Sequence, residues 1–229
     1  MRTLVDKVEG KKFLHLLHGK LSMHDGMVNW VALPMHSFQP PGVWSPIVSE
    51  RWMNNVWISV CTFECMKRAY ENVLSIPACW VDIDPPTAMS KKTLREWRDK
   101  ALKTALKLKP SIVVASGKGW HLYWLFKMPI KLRGMPVEER RELIGRVTAV
   151  NRWLALAVGG DTACADPTRV MRLPGTNNPK PGADRCSITL LSEAQYQLNQ
   201  LEHVAEQLQS LIDEGGEGEQ AGQAAELQR

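Results

Sequence analysis

The sequence predicts an α+β fold, and three observations lead to this class. The apolar segments within 111–126 are short and are joined by a tight turn, as in a β-hairpin. Two longer segments, 90–110 and 136–159, carry apolar residues at helical spacing. The N-terminal part, 1–78, mixes strand and helix patterns. Strands and helices that do not alternate regularly are typical of α+β domains.

The remaining elements follow in chain order. We predict a short helix or strand at 12–17, strands at 26–33, 55–63, 79–84 and 186–192, a Pro-rich loop at 38–46, and a helix from about Glu193 to Ile212. Ser90 is placed to cap the helix that Pro110 ends, and Pro136 is placed to open the helix that Gly159 closes. We expect one domain over 1–201, divided into 1–78 and 79–192, followed by a helix end and an acidic disordered tail or linker over 202–229.

The charge of the chain is distributed unevenly. The net charge of the 229 residues is +5, but 202–229 contains seven acidic residues against one arginine. Residues 1–201 therefore carry 28 Lys and Arg against 17 Asp and Glu, a balance of +11. A body this basic favours a polyanionic partner such as a nucleic acid.

Cysteine number and hydropathy bear on where the protein works. Five cysteines, odd in number and irregularly spaced, favour a reducing cytoplasm over a disulfide framework. Cys61 and Cys65 could form half of a zinc site, but no second pair has ligand spacing, so we expect buried thiols and no zinc. No apolar run approaches the ~18 residues of a membrane span, and the N-terminus lacks the apolar segment of a signal peptide. We expect a cytoplasmic protein with no membrane partner.

The segment CWVDIDPP, residues 79–86, places two aspartates on one short strand. Val81 and Ile83 form one face, and Asp82 and Asp84 share the other, roughly 6.6 Å apart along the strand. Two neighbouring carboxylates repel each other unless divalent cations such as Mg²⁺ lie between them. The alternative is a strand end whose aspartates cap neighbouring amides.

A second candidate site lies in SGKGWHLYW, residues 116–124. His121 and Tyr123 share one strand face, with Trp120 and Trp124 on the other. His121 therefore projects near a Gly-rich turn whose amides, with the hydroxyl of Ser116, could bind phosphate oxygens. The turn lacks the P-loop pattern, and an ordinary hairpin with a solvated lysine is the alternative.

The third candidate is GGDTACADPTRVMRLPGTNNPK, residues 159–180. Asp161 follows the end of a helix, and Arg169, Arg172 and Lys180 come after it. Arginine binds phosphate through its forked donors, whereas the alternative here is a capped loop with surface arginines.

Taken together, the three segments resemble the archaeo-eukaryotic primase (AEP) superfamily, and in particular its RepB-like primase-polymerase branch found on plasmids and phages. That branch has a D-x-D strand, here Val81–Asp84, an S-x-G-x-H-like strand, here Ser116–His121, and a third aspartate ahead of an R-x-x-R-x-P-G-T-x-N-x-K run, here Asp161 before 169–180. The resemblance covers 80–180, and it implies an N-terminal α/β unit packed on an RRM-like antiparallel sheet that bears the catalytic carboxylates.

The resemblance also implies roles for individual residues. Asp82, Asp84 and Asp161 would ligate two Mg²⁺ or Mn²⁺ ions, with Asp166 as an alternative third ligand. The incoming nucleotide would be held by Ser116, Gly117, Lys118, His121, Arg172 and Lys180, and template DNA would contact Arg169 and Trp120. The metals, together with His121, would support nucleotidyl transfer.

The implied activity is that of a DNA primase or primase-polymerase that synthesises or extends primers on single-stranded DNA from NTP or dNTP. A replicative helicase is a candidate partner. A non-catalytic single-stranded nucleic-acid-binding module with a primase-like fold is the alternative, and a nicking initiator is disfavoured because the sequence has no H-x-H pair.

Overall fold

The structure is a computed structural model that describes residues 7–32, 35–41, 55–65, 67–86 and 89–215. Within these residues the helices are α1 (Lys7–His18), α2 (Lys91–Lys107), α3 (Val137–Val158) and α4 (Leu198–Gly215). The strands are β1 (Val28–Ala32), β2 (Met35–Gln39), β3 (Val56–Ser59), β4 (Thr62–Phe63), β5 (Val73–Ile83), β6 (Ile112–Ala115), β7 (Trp120–Lys131), β8 (Val170–Arg172) and β9 (Ser187–Leu191).

The described strands form two sheets. One has the order β2-β1-β3-β8 and the other the order β4-β5-β7-β6-β9, and the neighbouring strands in both are antiparallel. This mixed architecture confirms the predicted α+β class with an antiparallel sheet that carries the candidate carboxylates. Strand β8 comes late in the chain but pairs with β3, so the first sheet combines N-terminal strands with a late segment.

The five-stranded sheet packs against α2 on one face and against α1 on the other. Trp120 and Trp124 point toward α2, where their indole N–H groups donate to the carbonyls of Arg98 and Leu108 at 3.1 and 2.7 Å. Tyr123 lies on the opposite face and meets the ring of Phe13 from α1 edge-on, with the ring centroids 5.2 Å apart. The alternation predicted for this strand is therefore confirmed.

Part of β5 has a neighbouring strand along one edge only, and helix α3 covers the other edge there. The backbone N–H of Trp80 donates to Oδ1 of Asn151 at 3.0 Å, and Nδ2 of the same asparagine donates to the carbonyl of Ala165 at 3.3 Å. Asn151 is fully buried. A strand edge that is buried must have its backbone groups satisfied, and here a side chain of α3 does so.

Most predicted helix limits hold. Ser90 accepts a hydrogen bond from the backbone N–H of Thr93 and caps α2. Helix α3 begins directly after Pro136 and ends at Gly159, whose φ of 69° is left-handed. The ambiguous segment at 12–17 is helical and belongs to α1.

Other limits differ from the prediction. The strand predicted at 55–63 is two strands in different sheets, β3 and β4, because the chain changes sheet at 60–61. The predicted loop at 38–46 begins inside β2, which the sequence did not reveal, and 42–46 lie outside the described residues. Helix α4 begins at Leu198 rather than Glu193, because Tyr196 forms an isolated bridge with Phe126.

Two further predictions concern the ends of the proposed units. Strand β5 runs through residue 78, so the proposed division into 1–78 and 79–192 falls inside one strand. The predicted acidic tail lies mostly beyond Gly215 and therefore outside the described residues. Among the helices that the structure describes, none is long and apolar enough to cross a membrane.

We expect Asn151→Ala to lower the free energy of unfolding by about 2–3 kcal/mol, because it leaves the Trp80 N–H and the Ala165 carbonyl buried without partners. Urea denaturation followed by tryptophan fluorescence measures the change. Arg152→Ala alters the next residue, which is exposed, and serves as the control. A loss no larger than that of the control would contradict the role given to Asn151.

Candidate active site

Asp82 and His121 are direct neighbours across β5 and β7. The two residues are paired in the strand register, and Nε2 of His121 lies 3.5 Å from Oδ1 of Asp82. His121 is only 2 % exposed. Burial lowers the pKa of His121 to about 3, and the positive charge of Arg172 acts in the same direction. The imidazole is therefore neutral at physiological pH and available for hydrogen bonding.

The side chain of Asp82 is half-buried, 16 % exposed, and its buried Oδ1 has no hydrogen-bond partner among the described residues. Burial raises the pKa of Asp82 to about 7, and the negative charges of Asp84 and Asp161 raise it further. Asp84 lies one residue beyond the end of β5 and is exposed, so the two aspartates do not share a regular strand face as predicted. Asp84 and Asp161 nevertheless both act electrostatically on Asp82.

The backbone places Asp161 beside Asp82. Its N–H donates to the carbonyl of Asp82 at 2.8 Å, which continues the coverage of the β5 edge. Gly160 permits this approach, since a Cβ there would lie 2.5 Å from Cγ1 of Val81. The Asp161 carboxylate accepts from the N–H of Ala163 through Oδ1 and caps the 3₁₀ turn Thr162–Ala165.

Cys164 joins two of these carboxylates, and sequence reasoning did not find it. Its thiol lies 3.2 Å from Oδ2 of Asp161, to which it donates, and 3.8 Å from Oδ2 of Asp82. The residue follows Asp161 by three positions, a spacing that one 3₁₀ turn brings together. Four of the five cysteines are buried, as expected, whereas Cys65 is exposed, which corrects the prediction for that residue.

Asp166, the alternative third carboxylate, has other partners. Its Oδ1 accepts from both the N–H and the hydroxyl of Thr168, each at 2.6 Å. Its charge acts on Cys61 and Arg68 and is not among those that shift the pKa of Asp82. This geometry favours Asp161 as the partner of Asp82.

The Gly-rich turn 116–119 lies against the end of β5. Gly117 has a φ of 115°, a conformation that favours glycine. A Cβ on Gly119 would lie 1.9 Å from the carbonyl oxygen of Ile83, so only glycine fits there. Nδ2 of Asn178, which sequence reasoning did not single out, donates to the carbonyl of Ser116 at 2.9 Å. The turn is thus fixed close to Asp84, with the side chain of Ser116 buried and Lys118 half-buried.

Residues in and next to strand β3 of the first sheet hold the side chain of Arg172 in place. Its guanidinium stacks over the ring of Trp57, 4.2 Å from the centroid, and its Nη1 donates to Oδ1 of Asn55 at 2.8 Å. Asn55 also accepts from the indole N–H of Trp57 and has a left-handed φ of 59°. Asp82 and Asp84 both raise the pKa of Arg172, against the lowering effect of its burial, so the guanidinium belongs to the same electrostatic cluster. Sequence reasoning missed Asn55 and Trp57, because only the pairing of β3 with β8 brings them there.

Three more predicted residues lie around this cluster. Lys180 is exposed, and its charge lowers the pKa of Asp82 against the raising effects of burial and the other carboxylates. Arg169 is half-buried and donates to the carbonyl of Ala163. Trp120 is 5 % exposed, and Arg98 covers its ring at 5.0 Å from the centroid. The predicted contact of Trp120 with DNA stays a prediction.

The arrangement of carboxylates is suited to binding a cation, although these side chains alone do not supply a complete set of ligands. Among the described residues, no three His, Cys, Asp or Glu side chains form a group that could hold a metal ion as they stand. The buried Oδ1 of Asp82 nevertheless lacks a partner among these residues, and the charges of Asp84 and Asp161 disfavour ionisation of Asp82. Hard divalent cations bind such oxygens and would relieve this repulsion.

Comparison with known structures defines the class of the fold. The chain is similar to the AEP domain of the cyanophage S-2L primase-polymerase, with 18% identity and a TM-score of 0.57 over 88% of this chain and 98% of that chain. It also matches the catalytic domain of primase RepB′ in complex with initiator DNA, with 15% identity and a TM-score of 0.42 over 89% and 98% of the two chains. No curated protein sequence matches. The described domain thus has the AEP primase fold.

The family follows from the sequence match. Residues 58–213 match the model of the RepB DNA-primase N-terminal domain, which is more than half of the chain. The chain belongs to this family of primase domains. The resemblance seen in the three motifs is therefore confirmed for the family and the fold, and the family supports a primase role.

We expect Asp82→Asn to stabilise the protein when divalent cations are absent. The pKa of Asp82 is about 7 in the folded chain against 3.8 ordinarily, so folding binds a proton, and stability falls as pH rises from about 4 to 7. The amide should raise the free energy of unfolding at pH 8 by roughly 1–3 kcal/mol and flatten that fall.

Urea denaturation in EDTA between pH 4 and pH 8 measures both effects. Asp166→Asn is the matched control, because its carboxylate already accepts two hydrogen bonds from Thr168 and should lose stability when altered. An Asp82→Asn protein less stable than the wild type at pH 8 would contradict the account of Asp82.

Proposed function

We propose that this chain is the catalytic domain of a DNA primase or primase-polymerase of a plasmid, phage or other mobile element. It synthesises or extends primers on single-stranded DNA by nucleotidyl transfer from NTP or dNTP. The observation that carries the proposal is the pairing of Asp82 with buried His121, with Asp161 hydrogen-bonded to the backbone of Asp82, in a member of the RepB primase family. The initiator DNA in the RepB′ structure is consistent with a DNA template.

The residues divide into two groups by chemistry. Asp82, Asp84 and Asp161 would hold Mg²⁺ or Mn²⁺ in a two-metal site. When bound, such ions lower the pKa of an attacking hydroxyl and neutralise charge on phosphoryl oxygens. In the transfer, a 3′-hydroxyl oxygen bonds to the α-phosphorus, the bond from that phosphorus to pyrophosphate breaks, and the hydroxyl proton is released.

The second group binds the nucleotide. Neutral His121 can donate one hydrogen bond to a phosphate oxygen, and the amides of Gly117 and Lys118, with the hydroxyl of Ser116, are within the same turn. Among the described residues, the guanidinium of Arg172 donates a hydrogen bond only through Nη1. Its other N–H groups are therefore available for a phosphate oxygen. Lys180 adds a positive charge at the rim. These groups would orient the triphosphate relative to the carboxylates.

Nucleotide incorporation on single-stranded DNA tests the proposal, with Mg²⁺ or Mn²⁺ and with or without an annealed primer. We expect products that grow with time and are lost in Asp82→Ala, because this removes the carboxylate nearest to His121. Products without a primer indicate a primase, and growth only from a supplied primer indicates a polymerase domain. If DNA binds but no nucleotide is incorporated, the protein is instead a non-catalytic binding module.

The third carboxylate is tested by a matched pair of variants. We expect Asp161→Asn to reduce incorporation at least about 100-fold, as loss of a metal-stabilising group does. Asp166→Asn should keep incorporation within about threefold of the wild type, because its carboxylate is engaged by Thr168. Primer-extension rates at saturating metal measure both. The opposite ranking would assign the ligand role to Asp166.

A further inference from the structure

Asn55 has an unusual backbone conformation directly before β3. Its φ of 59° is left-handed, and among the described residues only one other that is not glycine, Lys109, has a positive φ. Asparagine adopts this conformation more readily than most residues, but the conformation still costs free energy. Such a residue persists where the surrounding contacts determine it, so its contacts indicate its role.

The side chain of Asn55 holds the guanidinium of Arg172. Its Oδ1 accepts from Nη1 of Arg172 at 2.8 Å and from the indole N–H of Trp57 at 3.1 Å. The same indole ring lies against the face of the guanidinium, with Cζ of Arg172 4.2 Å from the ring centroid. Because the guanidinium is planar, a hydrogen bond at its edge and a ring against its face fix both its position and its orientation.

The backbone of Asn55 is bonded to the loop that follows β8. Its N–H donates to the carbonyl of Asn177 at 2.9 Å. The next residue of that loop, Asn178, donates through Nδ2 to the carbonyl of Ser116 at 2.9 Å, in the Gly-rich turn. Two consecutive residues of the loop therefore bond to different sheets, one at the start of β3 and the other at the turn before β7.

The loop and the Gly-rich turn are in close contact. A Cβ on Gly117 would lie 2.5 Å from Nδ2 of Asn178, so the loop leaves room only for glycine there. Further along the loop, the N–H of Asp184 donates to the carbonyl of Gly117 at 3.0 Å. The turn is thus bonded to the loop at two places, and the position of one depends on that of the other.

We propose that Asn55 is a positioning residue that holds Arg172 and the Gly-rich turn at a fixed separation, so that both bind the same triphosphate group. Arg172 offers forked N–H donors, and the turn offers backbone amides and the hydroxyl of Ser116, all of which match phosphate oxygens. Asn55 acts through Arg172 and the loop and not on the phosphates directly. This inference deepens the proposed function and rests on it for the ligand, the triphosphate of the incoming nucleotide.

Asn55→Gly removes the side-chain contact and keeps the backbone. Glycine adopts a left-handed φ at no cost, so the bond to Asn177 remains while the acceptor for Arg172 is lost. The melting temperature should stay within about 3 °C of the wild type. The Kd for inorganic tripolyphosphate, measured by titration calorimetry in EDTA at low ionic strength, should rise about 5- to 20-fold. An unchanged Kd, or no binding by the wild type, would overturn the proposal.

Lys109→Gly is the matched control. Lys109 has the other left-handed φ, 49°, and its exposed side chain follows the end of α2. This substitution gives the chain the same added backbone freedom and alters no contact of Arg172 or the loop. Its Kd for tripolyphosphate should equal that of the wild type within error. If both variants lose affinity equally, the effect is a general loosening of the chain and the proposal is wrong.

Asn178→Ala tests the other end of the connection and does not depend on the folding of the Asn55 variant. It removes the donor to Ser116 and should raise the Kd for tripolyphosphate about 3- to 10-fold. In the double variant the increase should be smaller than the product of the two single increases, because both substitutions break the same connection. An increase equal to the product would show that the two residues act independently, against the proposal.

Primer extension gives a readout that a merely structural role would not move. Asn55→Gly should raise KM for the nucleotide by about the factor measured for Kd with tripolyphosphate, with a smaller change in kcat, because it weakens binding of the triphosphate. A lower kcat with an unchanged KM would indicate loss of folded enzyme and would overturn the proposal.

The binding and synthesis measurements separate this inference from the proposed function. Normal incorporation with unchanged KM and Kd in Asn55→Gly would remove the inference and leave the proposed function intact. Binding of tripolyphosphate that depends on Asn55, in a protein that incorporates no nucleotide, would do the reverse.

Discussion

Between Trp80 and Asp82, both edges of strand β5 are hydrogen-bonded. One edge bonds to a neighbouring strand, and the other bonds to groups in α3 and in the turn that follows it. Strand β7 supplies the first side and brings His121 opposite Asp82. Asn151 of α3 and the N–H of Asp161 supply the second. Since a buried backbone group without a partner costs free energy comparable to a lost hydrogen bond, this edge must be covered. The hydrogen bond from the Asp161 N–H to this edge also places the Asp161 carboxylate beside Asp82.

The polar side chains that β5 and β7 hold at this place lower the stability of the protein. Asp82 and His121 each have a buried polar atom without a partner among the described residues. Burial raises the cost of ionising Asp82, and the negative charges of Asp84 and Asp161 raise it further. Buried groups of this kind are usually satisfied within the protein. Their concentration around one strand end agrees with a site that is completed by cations and phosphates.

The sequence predicted the elements whose signals are local. Alternation along 120–124 separated His121 from the tryptophans, and capping and helix-ending residues located α2 and α3. It could not predict which sheet a strand joins, so 55–63 was taken as one strand, and β8, three residues long, gave no periodic signal. Asn55, Trp57, Cys164 and Asn178 were missed because each acts through contacts that only the folded chain creates.

The first sheet is part of the candidate site and not only a neighbour of it. Arg172 leaves β8 and is fixed by Asn55 and Trp57, two residues of the N-terminal part, while its charge acts on His121 of the second sheet. The pairing of β3 with β8 therefore sets the distance between Arg172, the proposed phosphate-binding arginine, and the carboxylates. Asn55 holds its left-handed backbone with two side-chain acceptor bonds, and such strain persists only where the surroundings determine it. A shift of one sheet against the other would change the geometry of the candidate site without altering any carboxylate.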